Sequence, residues 1–201
     1  VRRCAEFNTT VRKYEDDLLL CARLRNVIVH ESKKDRIIAE PCDELTRLIC
    51  HVADLLSMPP RLSVLKEKNV TGIEAEATLA DALVRIAQTN YSNLPVYRKG
   101  RMIGILNNRR VVRVVGQALE RGDDVDACLQ TPCSDVLREE DMNRFYRVLG
   151  RDDTVQEAID AFEDNRKLLA VVVTESGYAG DKIVNLLTSA DIPQLIRILE
   201  E

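Results

Sequence analysis

The 201-residue sequence predicts an α+β fold, a helical front piece followed by a duplicated helix–strand–strand–helix unit. Apolar residues in the first third recur at three- and four-residue spacing, the period of a helix face. A block running Thr78-Leu-Ala-Asp-Ala-Leu, Asn93-Leu-Pro-Val-Tyr and Met102-Ile-Gly-Ile-Leu-Asn107 returns in degenerate form. The second copy reads Thr154-Val-Gln-Glu-Ala-Ile, Leu168-Leu-Ala-Val-Val-Val and Ile183-Val-Asn-Leu-Leu-Thr188. Between front piece and repeats stands Pro59-Pro60, a stiff joint. The predicted boundaries are 1–58 for the helical segment and 61–201 for the duplicated module, split into about 61–122 and 123–201.

In the front piece, Asn8 and Thr9 are good helix caps, and neither Pro nor Gly interrupts the chain before Pro41. Leu18, Cys21, Ala22, Arg25 and Val29, with Leu24 and Ile28, predict one long amphipathic helix from about Thr10 to about Glu31. Ser32-Lys-Lys-Asp-Arg reads as a solvated loop. Pro41 suits the first turn of a second helix, where Asp43 and Glu44 favour the N-terminal dipole and Leu45, Leu48, Ile49, Val52, Leu55 and Leu56 form the apolar stripe. Two helices bury too little to stand alone, so they need further helices upstream, a partner chain or the following domain. The sequence starts at Val1 without a Met or a signal peptide, so an upstream segment is expected to be missing.

The first repeat begins with Leu62-Ser-Val-Leu as a lead-in and Val70-Thr-Gly-Ile-Glu as a strand. Thr78 with Asp81 forms a capping box ahead of Leu79, Ala82, Leu83 and Ile86. Two strands meet at Lys99-Gly100, a tight-turn signal, and a helix from about Asn108 to Glu120 closes the unit. In the second repeat, Ser134-Asp-Val-Leu is the lead-in and Phe145-Tyr-Arg-Val-Leu a strand. Thr154 caps a helix bearing Val155, Ala158, Ile159 and Phe162, and Leu168–Val173 is an apolar strand buried on both faces. Residues 174–182 make a longer hairpin loop than Lys99-Gly100.

Composition narrows the function classes. A formal charge of -4 gives no global drive toward nucleic acid, and no apolar run reaches the ~18 residues of a membrane span. The six cysteines contain no C-x-x-C pair and only two histidines accompany them, which argues against a metal site. Reduced, mostly buried thiols in a cytoplasmic protein are expected.

Two stretches carry candidate chemistry. On a helix, Asn26 and His30 stack four residues apart with Arg25 alongside. An imidazole beside a guanidinium can serve metal-independent RNA cleavage, the His moving protons and the Arg stabilising phosphate charge. The alternative role for Arg25, Asn26 and His30 is a polar network that fixes helix packing or a dimer contact. Leu24-Arg-Asn-Val-Ile-Val-His30 resembles the R-N-x-x-x-H signature of HEPN domains, over about 55 residues. That resemblance implies a partial HEPN-like module, with ribonuclease activity and RNA as a partner if the module is active.

The second stretch is Leu187-Thr188-Ser189-Ala190-Asp191, which can present a hydroxyl, backbone N–H groups and a carboxylate to one small ligand. Equally, Thr188 or Ser189 can cap a helix whose dipole Asp191 complements. The cap-Leu-x-x-Ala-Leu, Leu-Pro-Val and Gly-Ile-Leu pattern resembles CBS domains, which occur as tandem pairs and often hold adenine nucleotides between the repeats. The resemblance places Thr188 and Asp191 on that family's G-h-h-T-x-x-D motif, with Thr near phosphate and Asp on the ribose hydroxyls. The first repeat departs from it, with Asn107 in place of Thr and Arg110 in place of Asp. Arg109, Arg110 and Arg113 there either meet phosphate groups or form a solvated basic helix face. Further lining is expected from Ser189, Arg147, Val148, Leu149 and Leu168 to Ala170 (Leu169 among them), and from Thr71, Gly72, Asn93 and Leu94.

The expectation is a regulatory protein in which a tandem CBS pair senses AMP, ADP, ATP, S-adenosylmethionine or a related ligand, as a homodimer and without a metal. A CBS-regulated ribonuclease or defence effector, and a ligand-free dimerisation scaffold, are the alternatives.

Overall fold

The computed structural model describes residues 1–31, 39–138 and 144–200. The front piece holds α1 (Arg2–Ala5), α2 (Thr9–Lys13), α3 (Glu15–Glu31) and α4 (Asp43–Ser57). Asn8 caps α2 as expected, its Oδ1 accepting the Val11 N–H at 2.9 Å. The single helix expected from Thr10 to Glu31 is instead broken at Tyr14, which leaves helical geometry (φ -106°, ψ 21°). Glu15, Asp16 and Asp17 follow at once and make a favourable new N-terminus, with the Tyr14 carbonyl accepting from Leu18. Pro41 lies just outside α4, because Cys42 takes the N-cap position. The loop expected at 32–36 lies outside the described residues.

The first repeat is β1 (Ile73–Glu74), α5 (Leu79–Thr89), β2 (Asn93–Arg98), β3 (Arg101–Asn107) and α6 (Asn108–Arg121). Two short helices follow, α7 (Val125–Leu129) and α8 (Cys133–Val136). The second repeat is β4 (Tyr146–Gly150), α9 (Val155–Asp164), β5 (Ala170–Thr174) and β6 (Ile183–Leu187), then a 3-10 turn at Ser189–Asp191 and α10 (Ile192–Glu200). Each repeat makes a three-stranded sheet of the same plan, with its first strand parallel and its third antiparallel to the central one.

Local chemistry explains these units. The Thr78/Asp81 capping box forms, and the second copy has its equivalent at Thr154/Glu157. Lys99 (φ 53°) and Gly100 (φ 76°) turn the first hairpin with both central residues left-handed, the two-residue geometry that matches strand twist. In the second hairpin the longer loop is tied by the Ser176 hydroxyl donating to Asp181. Val70–Glu74 is mostly irregular and only Ile73 and Glu74 pair, so the expected strand is short. Likewise Leu62–Val64 is a 3-10 turn, and β5 starts at Ala170 because Leu168 closes a turn onto the Asn165 carbonyl.

The peptide leading into each repeat completes the other one. Ahead of the first repeat, the Leu62 N–H donates to Asp153 O and Pro60 O accepts from Val155, both at 2.8 Å. Ahead of the second, Cys133 donates to Ala77 O at 2.8 Å and Thr131 O accepts from Leu79 at 3.0 Å. This reciprocal exchange locks the two halves into one body. Leu79, Leu94, Leu106 and Val111 fill the core of the first repeat, and Val155, Val171, Leu187 and Leu195 that of the second. A third cluster of Met102, Ile105, Tyr146, Ala170, Val172 and Ile183 joins the sheets of the two halves.

The front piece finds part of its cover on the second repeat. Leu55 packs against that repeat's core and the Thr9 hydroxyl donates to Asp160 Oδ2 at 3.0 Å, while within the front piece Tyr14 meets His51 edge-on. Leu20, Val27 and Val29 stay exposed. This shallow packing corrects the expectation of mostly buried thiols, since Cys4, Cys42 and Cys50 of the front piece are exposed and Cys133 alone is fully buried.

Candidate functional site

Two clefts lie where the repeats meet, each built from the end of one repeat's last strand and the start of the other's sheet. The first, of about 370 Å³, is lined by Lys68, Val70, Asn93, Leu169, Thr188 and Asp191, with Tyr91 and Leu186 on its wall. That volume lies within the ~300–1,000 Å³ of small-molecule pockets. Thr188 and Asp191 are placed here by the 3-10 turn that follows β6. Asp191 Oδ2 accepts the Thr188 backbone N–H at 2.7 Å and its hydroxyl at 3.1 Å. Oδ1 accepts from Lys68 Nζ at 2.8 Å. Burial pushes the Asp191 carboxyl up, but the Lys68 ammonium and the Thr188 hydrogen bonds outweigh it and hold the group below its ordinary value. Lys68 reaches Asp191 because residues 66–68 run beside β6, with Lys68 N–H donating to Val184 O and Asn185 Nδ2 to Lys66 O.

Of the residues expected from sequence, the fold brings Asn93, Leu169, Thr188 and Asp191 together in this cleft. Val70, rather than Thr71, supplies the neighbouring wall, and Ser189 is exposed on the turn outside it. Arg147 faces a different hollow, beside Glu157, Asp160 and Asp164. Along β4, Tyr146 is buried and reaches the second cleft, whereas its neighbour Arg147 is exposed. Lys68, the partner of Asp191, was not marked by any sequence pattern, because it stands 123 positions away from Asp191.

The second cleft, of about 530 Å³, holds Asn107 and Arg110 in the places of Thr188 and Asp191. Asn107 serves as the N-cap of α6, its Oδ1 accepting the Arg109 N–H at 2.9 Å. Its Nδ2 donates to Asn93 Oδ1 at 2.7 Å and to Ser92 O at 3.2 Å. Arg110 Nε donates to Val136 O at 3.1 Å. Tyr146 also donates to Asn93 Oδ1, at 3.3 Å, so one buried amide from the first cleft ties two groups of the second. Leu169 lines both clefts.

Arg25, Asn26 and His30 lie exposed on α3, where Arg25 Nη1 donates to Asn26 Oδ1 at 3.2 Å. The fold brings none of them to either cleft. Among the described residues no group of three or more His, Cys, Asp or Glu side chains is arranged to hold a metal ion, and no helix is long and apolar enough to cross a membrane.

Comparison with known proteins agrees with this architecture. Residues 64–117 match the CBS domain family. No curated protein matches the sequence. Among solved structures, CBSX2 in complex with AMP superposes with a TM-score of 0.54 at 12% identity, covering 71% of this chain and 99% of that one. A CBS domain-containing protein from Kribbella flavida gives 0.52 at 18% identity, over 68% and 97% of the two chains. The CBS domain pair of MJ0100, in complex with 5′-methylthioadenosine and S-adenosyl-L-methionine, gives 0.50 at 15% identity, over 69% and 97%. The chain therefore has the fold of a tandem CBS domain pair preceded by a helical segment.

Proposed function

We propose that the chain is a regulatory sensor that binds an adenine nucleotide or a related adenosyl ligand in the cleft of Thr188 and Asp191. The observation that carries this reading is the meeting, in one cavity, of that Thr and Asp and their neighbour Leu169 with Asn93 from across the repeat boundary. Apolar walls from Val70, Leu169 and Leu186 suit a purine face, and Asp191 suits a pair of vicinal hydroxyls. The AMP held by CBSX2 and the adenosyl ligands held by the MJ0100 pair support the choice of ligand class.

Ligand entry re-sorts the polar contacts. Asp191 Oδ2 stays with Thr188, the ribose takes over Oδ1, and the displaced Lys68 ammonium turns to the phosphate or another anionic end. Asp191 opens directly into α10, whose far end carries Glu200 within 3.9 Å of Lys13 on α2. A ligand that favours one arrangement of the Asp191 turn thereby biases how the helical segment sits, by its differential affinity for the two arrangements.

Thermal unfolding of the whole chain with AMP, ADP, ATP and S-adenosylmethionine tests the proposal. At least one should raise Tm, and Asp191→Ala should weaken its binding by about tenfold or more, the worth of one charge-assisted contact. No stabilisation by any of the four, or an equal response from Asp191→Ala, removes the site.

A further inference from the structure

We infer that the second cleft is a separate binding site for a run of consecutive phosphates, read without recognition of a nucleoside. Among the described residues, seven cationic side chains line it. Arg109, Arg110 and Arg113 come from the first two turns of α6, while Arg138, Arg144, Arg166 and Lys167 come from the second repeat. No described carboxylate is among the lining groups. The acids at 139–141 fall outside the described residues, and the cations outnumber them even with all three set against the cleft. On a chain of formal charge -4, such a concentration of one sign in one concavity is a local design rather than a reflection of composition.

The shape and chemistry select the ligand. Arginines converge from opposite sides, and the planar guanidinium fork matches phosphate oxygens in two-point contacts. A single phosphate engages two or three such groups, so this many cations around about 530 Å³ call for several phosphates in a row. The position that would hold a ribose-binding carboxylate is Arg110, fixed by its bond to Val136 O, and a diol gains nothing from it. Asn107, at the Thr position, is occupied in capping α6 and in bonding Asn93 and Ser92. The depth of the cleft, with Tyr146 and Ile105 buried at its base, favours a compact chain of phosphates over the backbone of a nucleic acid. Inorganic phosphates and phosphates carried on a nucleoside present the same groups to the cleft.

Calorimetric titration of the full chain with sodium tripolyphosphate, ATP, AMP and a ten-nucleotide RNA, at about 50 and 200 mM salt, tests the inference. Tripolyphosphate should bind, more weakly at the higher salt, and ATP should match it within about threefold once the Thr188 cleft is disabled by Asp191→Ala. The variant Arg109→Gln/Arg113→Gln/Arg166→Gln, all exposed positions, should weaken tripolyphosphate by at least about tenfold. Arg144→Gln/Lys167→Gln should weaken it independently, which guards against misfolding of the first variant. The inference fails if tripolyphosphate shows no binding up to about 1 mM at the lower salt, or if both variants bind as the wild type does. It fails equally if ATP exceeds tripolyphosphate by about tenfold in Asp191→Ala, because a nucleoside is then being read. RNA that binds more tightly than tripolyphosphate and is lost in the same variants would assign the cleft to nucleic acid instead. Failure of AMP at Asp191 leaves these outcomes unchanged, so the two clefts stand or fall separately.

Discussion

The two clefts are made by the same fold twice, yet they are chemically opposite. At the end of the last strand of each repeat stands a pair of positions three apart, Thr188/Asp191 in one and Asn107/Arg110 in the other. In the first, a carboxylate is held by one ammonium and two bonds from Thr188. In the second, a guanidinium stands among six further cations. Duplication fixed where the clefts are, through the paired sheets and the exchanged lead-in peptides, and a few side chains then set the sign of each. The lesson is that the backbone of a repeat carries over its pocket without carrying over its ligand.

The largest expected effect comes from reversing that sign. Arg110→Asp, with Asn107 left in place to hold Asn93, puts a carboxylate where the repeat pattern calls for one and removes a cation from the second cleft. Tripolyphosphate affinity should fall by about tenfold or more, and the number of AMP molecules bound per chain should rise from one toward two. Calorimetry gives both numbers from one titration. A variant that keeps its tripolyphosphate affinity would show that Arg110 is only a structural clamp on Val136. Next in size is the link between the clefts. Asn93→Ala strips the shared acceptor from Asn107 and Tyr146 and removes two hydrogen bonds, the one from Tyr146 across the repeat boundary, at a cost of about 1–3 kcal/mol. Tm should drop by ~2–4 °C for each of those kcal/mol. An unchanged Tm would mean water replaces the amide and the clefts are independent in structure as well as in ligand.

Much of this was legible in the sequence where the signal is local. Thr78/Asp81 announces its helix within four residues, Lys99-Gly100 its hairpin within two, and Thr188/Asp191 its turn within four. The repeat itself then gives the doubled sheet. What could not be read is what depends on distant pairing. Lys68 meets Asp191 only after the first lead-in has crossed to the second repeat. Arg138, Arg144, Arg166 and Lys167 look like scattered surface charges until the halves close and set them opposite α6. Arg147, chosen from its place in the repeat, lies exposed beside Glu157, Asp160 and Asp164, one step along the strand from the buried Tyr146. In the front piece the helical period was legible but the break at Tyr14 was not, since the acids that start α3 also fit the middle of an exposed helix face.

The smallest expected effect tests the electrostatics of the first cleft by itself. Asp191 has a depressed carboxyl, so its bonds to Lys68 and Thr188 contribute stability that is present above the ordinary aspartate value of ~3.9 and is lost as pH falls through the lower folded value. Lys68→Met removes the ammonium while keeping the aliphatic stem. Burial then weighs against Thr188 alone, and the Asp191 carboxyl should titrate at a higher pH than in the wild type, which carboxyl-carbon NMR can follow directly. The acid side of the stability profile should flatten in step, because less proton uptake is linked to unfolding. Since the ion pair is half-exposed at its Lys68 end, the change in stability at neutral pH should stay within the ~0–1 kcal/mol of a surface pair. The same variant separates the two roles given to Lys68. If the ammonium turns to the ligand's phosphate, Lys68→Met loses AMP affinity while adenosine affinity holds or rises, as Asp191 no longer has to surrender a partner. Equal losses for AMP and adenosine would show that Lys68 only shapes the unliganded cleft, and the contrast with the cationic cleft would then rest on Asp191 alone.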